Sequence, residues 1–494
     1  MNCKILFFLF GWLFLCYNSL AAKEKSTVED SPKRFTIMGI GDSITEGGAN
    51  FQSYLFPLLE RLFTAGYQFD LVGPRAAKCR IGTLNHGGFS GKNAEFLDAH
   101  IDSTYRQYPA DVVLLHAGHN HFDTEKPVTG IVRAQESIIR KIQAINPDVK
   151  ILVAQVIPSG KLPKYSYIQE LNKGIANAIE KMHNPNVILV NQAKGFDWQK
   201  HTINDRVHPN EAGAEQMAEV WFQALQQILP KPVQSFNPEI IRYKRASQGD
   251  LNLHIFKPEK LKKGEKRPAI IFFFGGGWTL GTPLQFYREC SYYASKGMVA
   301  ISAEYRISYL HQTSAFESLE DARDAICWLR EHATELNLDT ARIAAAGASA
   351  GGHLAAATGI IHRNETCSQA RPNLLVLYYP VIDIGPEGYG SAELKSRYTE
   401  ISPLHNIDHT SPPALFILGT KDALIPVKTA EAFQKRMNEN GVECELRLIE
   451  GAGHPIFYYA KTLTPDFYTI RQLTDNFLVR HGYLEKNEKI NLKE

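Results

Sequence analysis

Cysteine is scarce in this chain: seven in 494 residues, with no Cys-x-x-Cys pair. The five beyond the N-terminal apolar stretch, Cys79, Cys290, Cys327, Cys367 and Cys444, are scattered. An odd count leaves at least one thiol unpaired, and a large core needs no staples, so we expect neither a disulfide framework nor a zinc site. Net charge is nearly absent too. Lys and Arg number 54 against 52 Asp and Glu, a formal +2, which excludes a general electrostatic pull toward nucleic acid or anionic membrane. Past the N-terminus no apolar run is long enough to cross a bilayer, and the halves show no residue-level repeat. What the chain does have is an ordinary globular make-up, 44% hydrophobic and 21% charged. At 494 residues it is long for one domain, and two are expected.

Lys4 precedes an apolar stretch from Ile5 to Leu15, and Ser19-Leu20-Ala21-Ala22 follows. A charged start, an apolar middle and a small-x-small end read as a signal peptide over residues 1–22, cut near Ala21 or Ala22. Cys16 raises lipid anchoring as an alternative, but Phe14 and Leu15 are bulky where a lipobox takes small residues. The expected location is secreted or periplasmic, with no membrane span once the leader is removed. Residues 23–33 are polar.

Strand and helix patterns then alternate. Strands are expected at Phe35–Ile40, Phe69–Val72, Asp111–Leu115, Lys150–Ile157 and Asn186–Val190. Helices are expected at Tyr54–Ala65, Asn93–Gln107, Ile131–Asn146, Tyr167–Met182 and Glu211–Leu229. Alternating units imply an α/β fold with a parallel sheet covered on both faces. Polar residues gather at the strand ends. Gly41-Asp42-Ser43 closes the first strand, where α/β sheets bind ligands. Asp205 stands three residues ahead of His208 in a loop before the last helix; an acid there can reach the ring and leave its other nitrogen as base for a distant serine. The stretch Asn85–Gly91 reads as a loop that opens a helix, and a glycine in it lets a backbone N–H approach an oxyanion. Asn120, after the third strand, is another suitable donor.

This half resembles the GDSL/SGNH hydrolases, and within them the family 3 carbohydrate esterases, which include acetylxylan esterases. Ser43, Gly91, Asn120 and His208 match the four motif blocks in order over about residues 34–230. The resemblance implies an SGNH-type three-layer α/β/α sheet, with Ser43 as nucleophile, His208 as base and Asp205 as its orienting acid. The N–H groups of Ser43 and Gly91 and the Asn120 amide would form the oxyanion hole. One departure is Gly118-His119-Asn120-His121, where the family commonly reads Gly-Thr-Asn-Asp. The acid after the asparagine is lost, so polar surroundings of the hole different from the family's are expected. His116, His119 and His121 do not follow a zinc spacing, and no metal is expected.

Pro230, Pro232 and Pro238 punctuate a linker, residues 231–240, with the boundary near Gln234. Ile241–Lys244 and Leu251–Phe256 suggest a leading antiparallel pair. Ala269–Phe274 is a continuous apolar run, hence a central strand, followed by Gly275-Gly276-Gly277-Trp278. A strand is expected at Met298–Tyr305 and a helix at Ser318–Leu336. The strand Ala341–Ala346 then leads into Gly347-Ala348-Ser349-Ala350-Gly351 and an alanine-rich helix, the setting of a nucleophile elbow. Strand Ala414–Gly419 ends near Asp422, and strand Cys444–Ile449 ends near His454, giving the order Ser, Asp, His.

Residues 241–482 resemble the α/β-hydrolases, in the esterase/lipase branch with an HGGG-type oxyanion loop, which implies a mostly parallel sheet. Ser349 would be the nucleophile, Asp422 the acid and His454 the base. The N–H of Ala350 and that of Gly276 or its neighbour Gly277 would hold the oxyanion. Phe274 stands where that branch usually has histidine, so support of the loop by a histidine side chain is lost. Residues between Asp383 and Thr410 are expected as a short lid over a fairly open site, and residues 483–494 as a polar tail.

Each triad implies acyl transfer without metal or organic cofactor. The leading expectation is a secreted two-domain carbohydrate esterase that strips acetyl groups from a polysaccharide such as acetylated xylan. The second half would take acetyls at other positions or a bulkier acyl such as feruloyl. The partner is then an acylated polysaccharide or oligosaccharide, not nucleic acid. Alternatives are that the second half is a peptidase or lipase-like hydrolase, or that one half only binds sugar. Trp198, Trp278, Tyr378 and Tyr379 are available aromatics, and packing is their simpler explanation.

Overall fold

The computed structural model describes residues 34–80, 82–232, 235–261, 264–362, 371–386, 388–390, 395–454 and 465–486. The expected leader lies outside them. Two α/β sheets, both mostly parallel, make up the fold.

The first sheet is built from β1 (Phe35–Gly41), β2 (Phe69–Leu71), β3 (Arg75–Cys79), β4 (Gly82–Gly88), β5 (Val112–His116), β6 (Lys150–Gln155) and β7 (Val187–Asn191). Its order is β3-β4-β1-β5-β6-β7, with β2 pairing the start of β1. Period-two alternation decides which face each side chain meets. Ile37, Leu114 and Leu152 join Leu58, Leu62 and Trp221 from helices α2 (Leu55–Thr64) and α7 (Glu211–Ile228), the latter preceded by the short α6 (Trp198–His201). Met38, Val113 and Val153 join Leu97, Ile138 and Leu171 from α3 (Ala94–Gln107), α4 (Val128–Ile145) and α5 (Ile168–Met182). Between β1 and α2 a single helical turn, α1 (Ser43–Glu46), begins with the Asp42 carboxylate accepting the Ile44 N–H at 2.9 Å.

The sequence pattern misses the β3–β4 hairpin, in which Arg75 pairs with His86 and Cys79 with Gly82. Asn85–Gly88, read above as loop, is strand. Glycine, alanine and lysine are weak strand formers, and only pairing with Gly41 at the centre of the sheet brings Gly88 into the ladder.

The second sheet contains β8 (Glu239–Ala246), β9 (Gly249–Phe256), β10 (Arg267–Phe273), β11 (Val299–Ala303), β12 (Leu338–Ala348), β13 (Leu374–Tyr378), β14 (Ala414–Gly419) and β15 (Cys444–Ile449). The order is β15-β14-β13-β12-β10-β11-β9-β8, with β8 and β9 antiparallel to their neighbours. Helix α8 (Tyr287–Ser295) follows β10, and α9 (Ser308–His311) and α10 (Ala315–Glu331) follow β11. Ser314 caps α10 in a capping box with Glu317. Helix α11 (Ala350–Ile360) is buried on every side, which its run of alanine and glycine permits.

Phe236 is buried, its N–H donates to Thr64 O at 2.8 Å, and its ring stacks on Phe63 at 5.6 Å and meets Tyr287 edge-on at 6.0 Å. One apolar cluster thereby runs from the first sheet into the second. At the other end, buried Tyr483 and part-buried Leu484 still pack on the core within the stretch expected as a polar tail. Cys327 is disulfide-bonded. Among the described residues no helix is long and apolar enough to cross a membrane.

Trp221 is fully buried against Tyr54, ring centroids 6.1 Å apart. Trp221→Ala is expected to cost about 3–5 kcal/mol, read as a lower urea midpoint. An unchanged midpoint would show that this layer does not hold the first sheet.

Candidate active sites

In both sheets the strand register brings the candidate residues to the carboxyl edge. In the first, Gly41 lies beside Gly88 on one side and His116 on the other. That places the turns after β1, β4 and β5 together, and with them Ser43, Gly91 and Asn120. The Phe89 N–H donates to Gly41 O at 2.9 Å, and the Ser90 N–H to Glu46 at 2.6 Å, which ties the Gly91 turn to α1. Asn120 adopts φ +68° and donates one amide N–H to Lys92 O at 2.9 Å. Its side chain therefore stands against the same turn.

The loop before α7 supplies the rest. Asp205 Oδ1 accepts the Val207 and His208 N–H groups at 2.9 and 3.0 Å, and Oδ2 lies 2.5 Å from His208 Nδ1. Burial alone would raise this carboxyl, but the hydrogen bonds from His208 and the two backbone donors hold it below the usual range. His208 Nε2 is 2.8 Å from Ser43 Oγ. Phe51 stacks on the His208 ring at 4.2 Å, a contact that no sequence motif announces.

Asp42, His86, His116 and His119 are buried, and His119 Nδ1 approaches Asp42 Oδ2 only to 3.9 Å, too far for a hydrogen bond. Burial pushes the Asp42 carboxyl up to about 6. Burial likewise pushes His116 down to about 4 and His119 to about 3, so both are neutral near pH 7. His121, which occupies the family's acid position, instead bridges Glu95 and Glu125 at 2.9 Å each. Among the described residues no cluster of three His, Cys, Asp or Glu is arranged to hold a metal ion.

The second site repeats the relay on different elements. Phe273 pairs with Gly347, and Ala348 with Tyr378, so the turns after β10 and β12 adjoin. Ser349 sits between β12 and α11 at φ +54°, a strained elbow that exposes its hydroxyl. Both flanking glycines are sterically required. A Cβ on Gly347 would fall 2.3 Å from Gly351 O, and one on Gly351 2.0 Å from Phe273 O. His454 Nε2 lies 2.9 Å from Ser349 Oγ, and Nδ1 lies 2.7 Å from Asp422 Oδ2. Asp422 also accepts the Leu424 and Ile425 N–H groups at 2.8 and 2.9 Å. Burial would raise Asp422, and these bonds, led by that to His454, hold it low instead.

The glycine loop packs on the elbow: a Cβ at Gly275 would stand 3.4 Å from the Ser349 Cβ. Gly276 and Gly277 follow it in the loop, at φ +135° and +62°. With no histidine at Phe274, the loop has other support. The Phe274 ring stacks on Tyr305 at 4.1 Å, the Tyr305 hydroxyl donates to Phe274 O at 2.6 Å, and the Gly275 N–H donates to Gln285 at 2.6 Å. The Trp278 indole N–H donates to His353 Nδ1 at 3.1 Å, and His353 Nε2 binds Ile401 O at 2.6 Å. Trp278, Tyr378 and Tyr379 are buried, and Trp198 is half-buried, which fits packing. Part of the expected lid, residues 387 and 391–394, lies outside the described residues.

Each arrangement can deprotonate a serine hydroxyl and offer N–H donors beside it, the requirements of acyl transfer. Residues 40–216 match the GDSL-like Lipase/Acylhydrolase family and residues 253–378 match BD-FAE. The chain is 28% identical over 213 residues to esterase LipC of Mycobacterium tuberculosis, covering 38% of this chain and 52% of that one. It is 26% identical over 202 residues to an acetylxylan esterase of Xylanibacter ruminicola, covering 38% and 40%. The chain thus spans about half or less of these curated relatives. A thermophilic esterase structure from Thermogutta terrifontis is 36% identical over 51% of this chain and 95% of its own, with a TM-score of 0.49.

The Asp42 carboxyl has a sign that can be tested. Its folded value lies above the ordinary one near 4, so its contribution to stability is full below pH 4 and lost as pH rises through about 6. Asp42→Asn keeps the cap acceptor and removes that penalty. It is expected to stabilise by about 3 kcal/mol at pH 7.5 and by little near pH 4. Urea midpoints at both values check this; an equal gain at each would show that ionisation is not the cause.

Proposed function

Because this chain joins a GDSL-like lipase/acylhydrolase domain to a BD-FAE α/β-hydrolase esterase domain, we propose that it is a secreted esterase with two independent serine nucleophiles, acting on acylated polysaccharide. The observation that carries the reading is the pair of unbroken Ser–His–Asp relays, at Ser43 and at Ser349.

At the first site Ser43 Oγ attacks the ester carbonyl while His208 Nε2 takes its proton. Asp205 holds the ring in the tautomer with Nδ1 protonated and stabilises the imidazolium. The N–H groups of Ser43 and Gly91 and the free amide N–H of Asn120 receive the carbonyl oxygen as it becomes anionic. Collapse expels the sugar alcohol, which takes the proton back from His208. Water then repeats the sequence on the acyl-serine and releases the acid. Ser349, His454 and Asp422 follow the same course, with Ala350 and Gly276 or Gly277 as donors.

The likeness to an acetylxylan esterase supports acetylated xylan as substrate. The leader expected from the sequence at residues 1–22 and the disulfide at Cys327 support an oxidising compartment outside the cytoplasm. Two nucleophiles on one chain suit one decorated polymer, since tethering raises the local concentration of the second site.

Acetate release from acetylated xylan, with feruloylated substrate in parallel, tests this. Ser43→Ala and Ser349→Ala should each remove one component of release, and the double variant should fall by about 10⁴-fold or more. Equal release by all four proteins would overturn both assignments. Loss in Ser43→Ala alone would make the second half a binding module or an enzyme for another ester.

A further inference from the structure

The two sites are joined by the hairpin that the sequence pattern misses. Its root borders the first site, where Arg75 pairs with Glu46 and Gly88 with Gly41. Its far end reaches the second. There the Gly281 N–H, at the end of the glycine loop, donates to the main-chain carbonyl of Arg80. The Arg80 guanidinium is held by both carboxylate oxygens of Glu60 on α2, at 2.5 and 2.6 Å, and lies over the Phe56 ring at 4.9 Å. Glu60 in turn accepts the buried Thr282 hydroxyl at 3.4 Å.

These contacts grip the part of the loop that sets its shape. Gly281 adopts φ +119°, and a Cβ on it would stand 2.3 Å from the Phe274 ring and 2.4 Å from Gly275 O. Its backbone is therefore seated directly on the start of the loop. The Leu280 and Thr279 N–H groups close the turn by donating to Gly276 O at 2.9 and 3.1 Å. A shift at Gly281 is thus passed to Gly276 and Gly277 through main chain, with no flexible side chain to absorb it.

We infer that Glu60 and Arg80, residues of the first domain, are positioning residues for the oxyanion hole of the second. The inference rests on the serine-ester chemistry of the second half and is independent of the polysaccharide reading. An oxyanion donor acts only as charge develops in the transition state, so loosening the grip lowers kcat and leaves KM nearly unchanged.

The test uses the full chain and p-nitrophenyl acetate. In a Ser43→Ala background, where Ser349 alone reports, Arg80→Met and Thr282→Val are expected to lower kcat by about tenfold with KM within about twofold. Arg80→Lys should recover most of the loss. Glu60→Gln/Arg80→Met removes the pair without stranding a buried charge, and should behave as Arg80→Met does. In a Ser349→Ala background the same substitutions should leave the Ser43-dependent rate within about twofold, which also reports that the first domain is folded. The inference is overturned if kcat at Ser349 is unchanged while Ser43 remains active, or if both sites fall together, as a general scaffold defect would make them. An inactive Ser43→Ala parent would instead sink the ester chemistry of the second half, and the inference with it.

Discussion

A serine hydroxyl is a poor nucleophile until an imidazole nitrogen stands within about 3 Å of it. In this protein that contact is made twice, across 165 residues between Ser43 and His208 and across 105 between Ser349 and His454. Nothing local can hold such distances. The sheet registers do it, by ending β1, β4 and β5 at one edge and β10, β12, β14 and β15 at another. Everything else at the two sites depends on those edges being level.

The halves reach the same geometry by different means. In the first, the serine rides on a single helical turn whose capping carboxylate, Asp42, is buried among neutral histidines. His86 accepts the Gly88 N–H at 3.0 Å and His116 the Ile157 N–H at 3.4 Å, bonds that hold them against the backbone of this edge. In the second, the serine sits on a strained elbow, and the loop opposite is held by stacked aromatics and by the Trp278–His353–Ile401 chain. Aromatic stacking takes over the place left by the missing histidine at Phe274. The two halves meet at the Glu60–Arg80 pair, where the far end of the hairpin, away from the first site, touches the loop of the second.

Much of this was legible in the chain. Apolar runs such as Phe35–Ile40 and Ala414–Gly419 mark central strands because both of their faces are buried. Gly347-Ala348-Ser349-Ala350-Gly351 is readable because an elbow tolerates no Cβ at its flanks, a requirement that leaves a residue-level trace. Asp205 and His208 are readable because three residues of loop suffice to join them. The hairpin Arg75–Gly88 was not, since its residues have weak strand preference and pair only because the rest of the sheet is there. Nor was the contact of Phe51 with His208, or any role for Glu60 and Arg80, an ordinary helix acid and an arginine at a hairpin tip.

The α/β class, and the expectation of two Ser–His–Asp sets with their members in chain order, can be read from the chain alone, because periodicity and tight turns are properties of neighbouring residues. Which carbonyl receives the Gly281 N–H, how deeply Asp42 is buried and what supports the loop at Phe274 emerge from the folded chain. Those depend on groups brought together from distant segments by packing. Burial and long-range pairing are sums over the whole fold, and no short stretch of the chain encodes them.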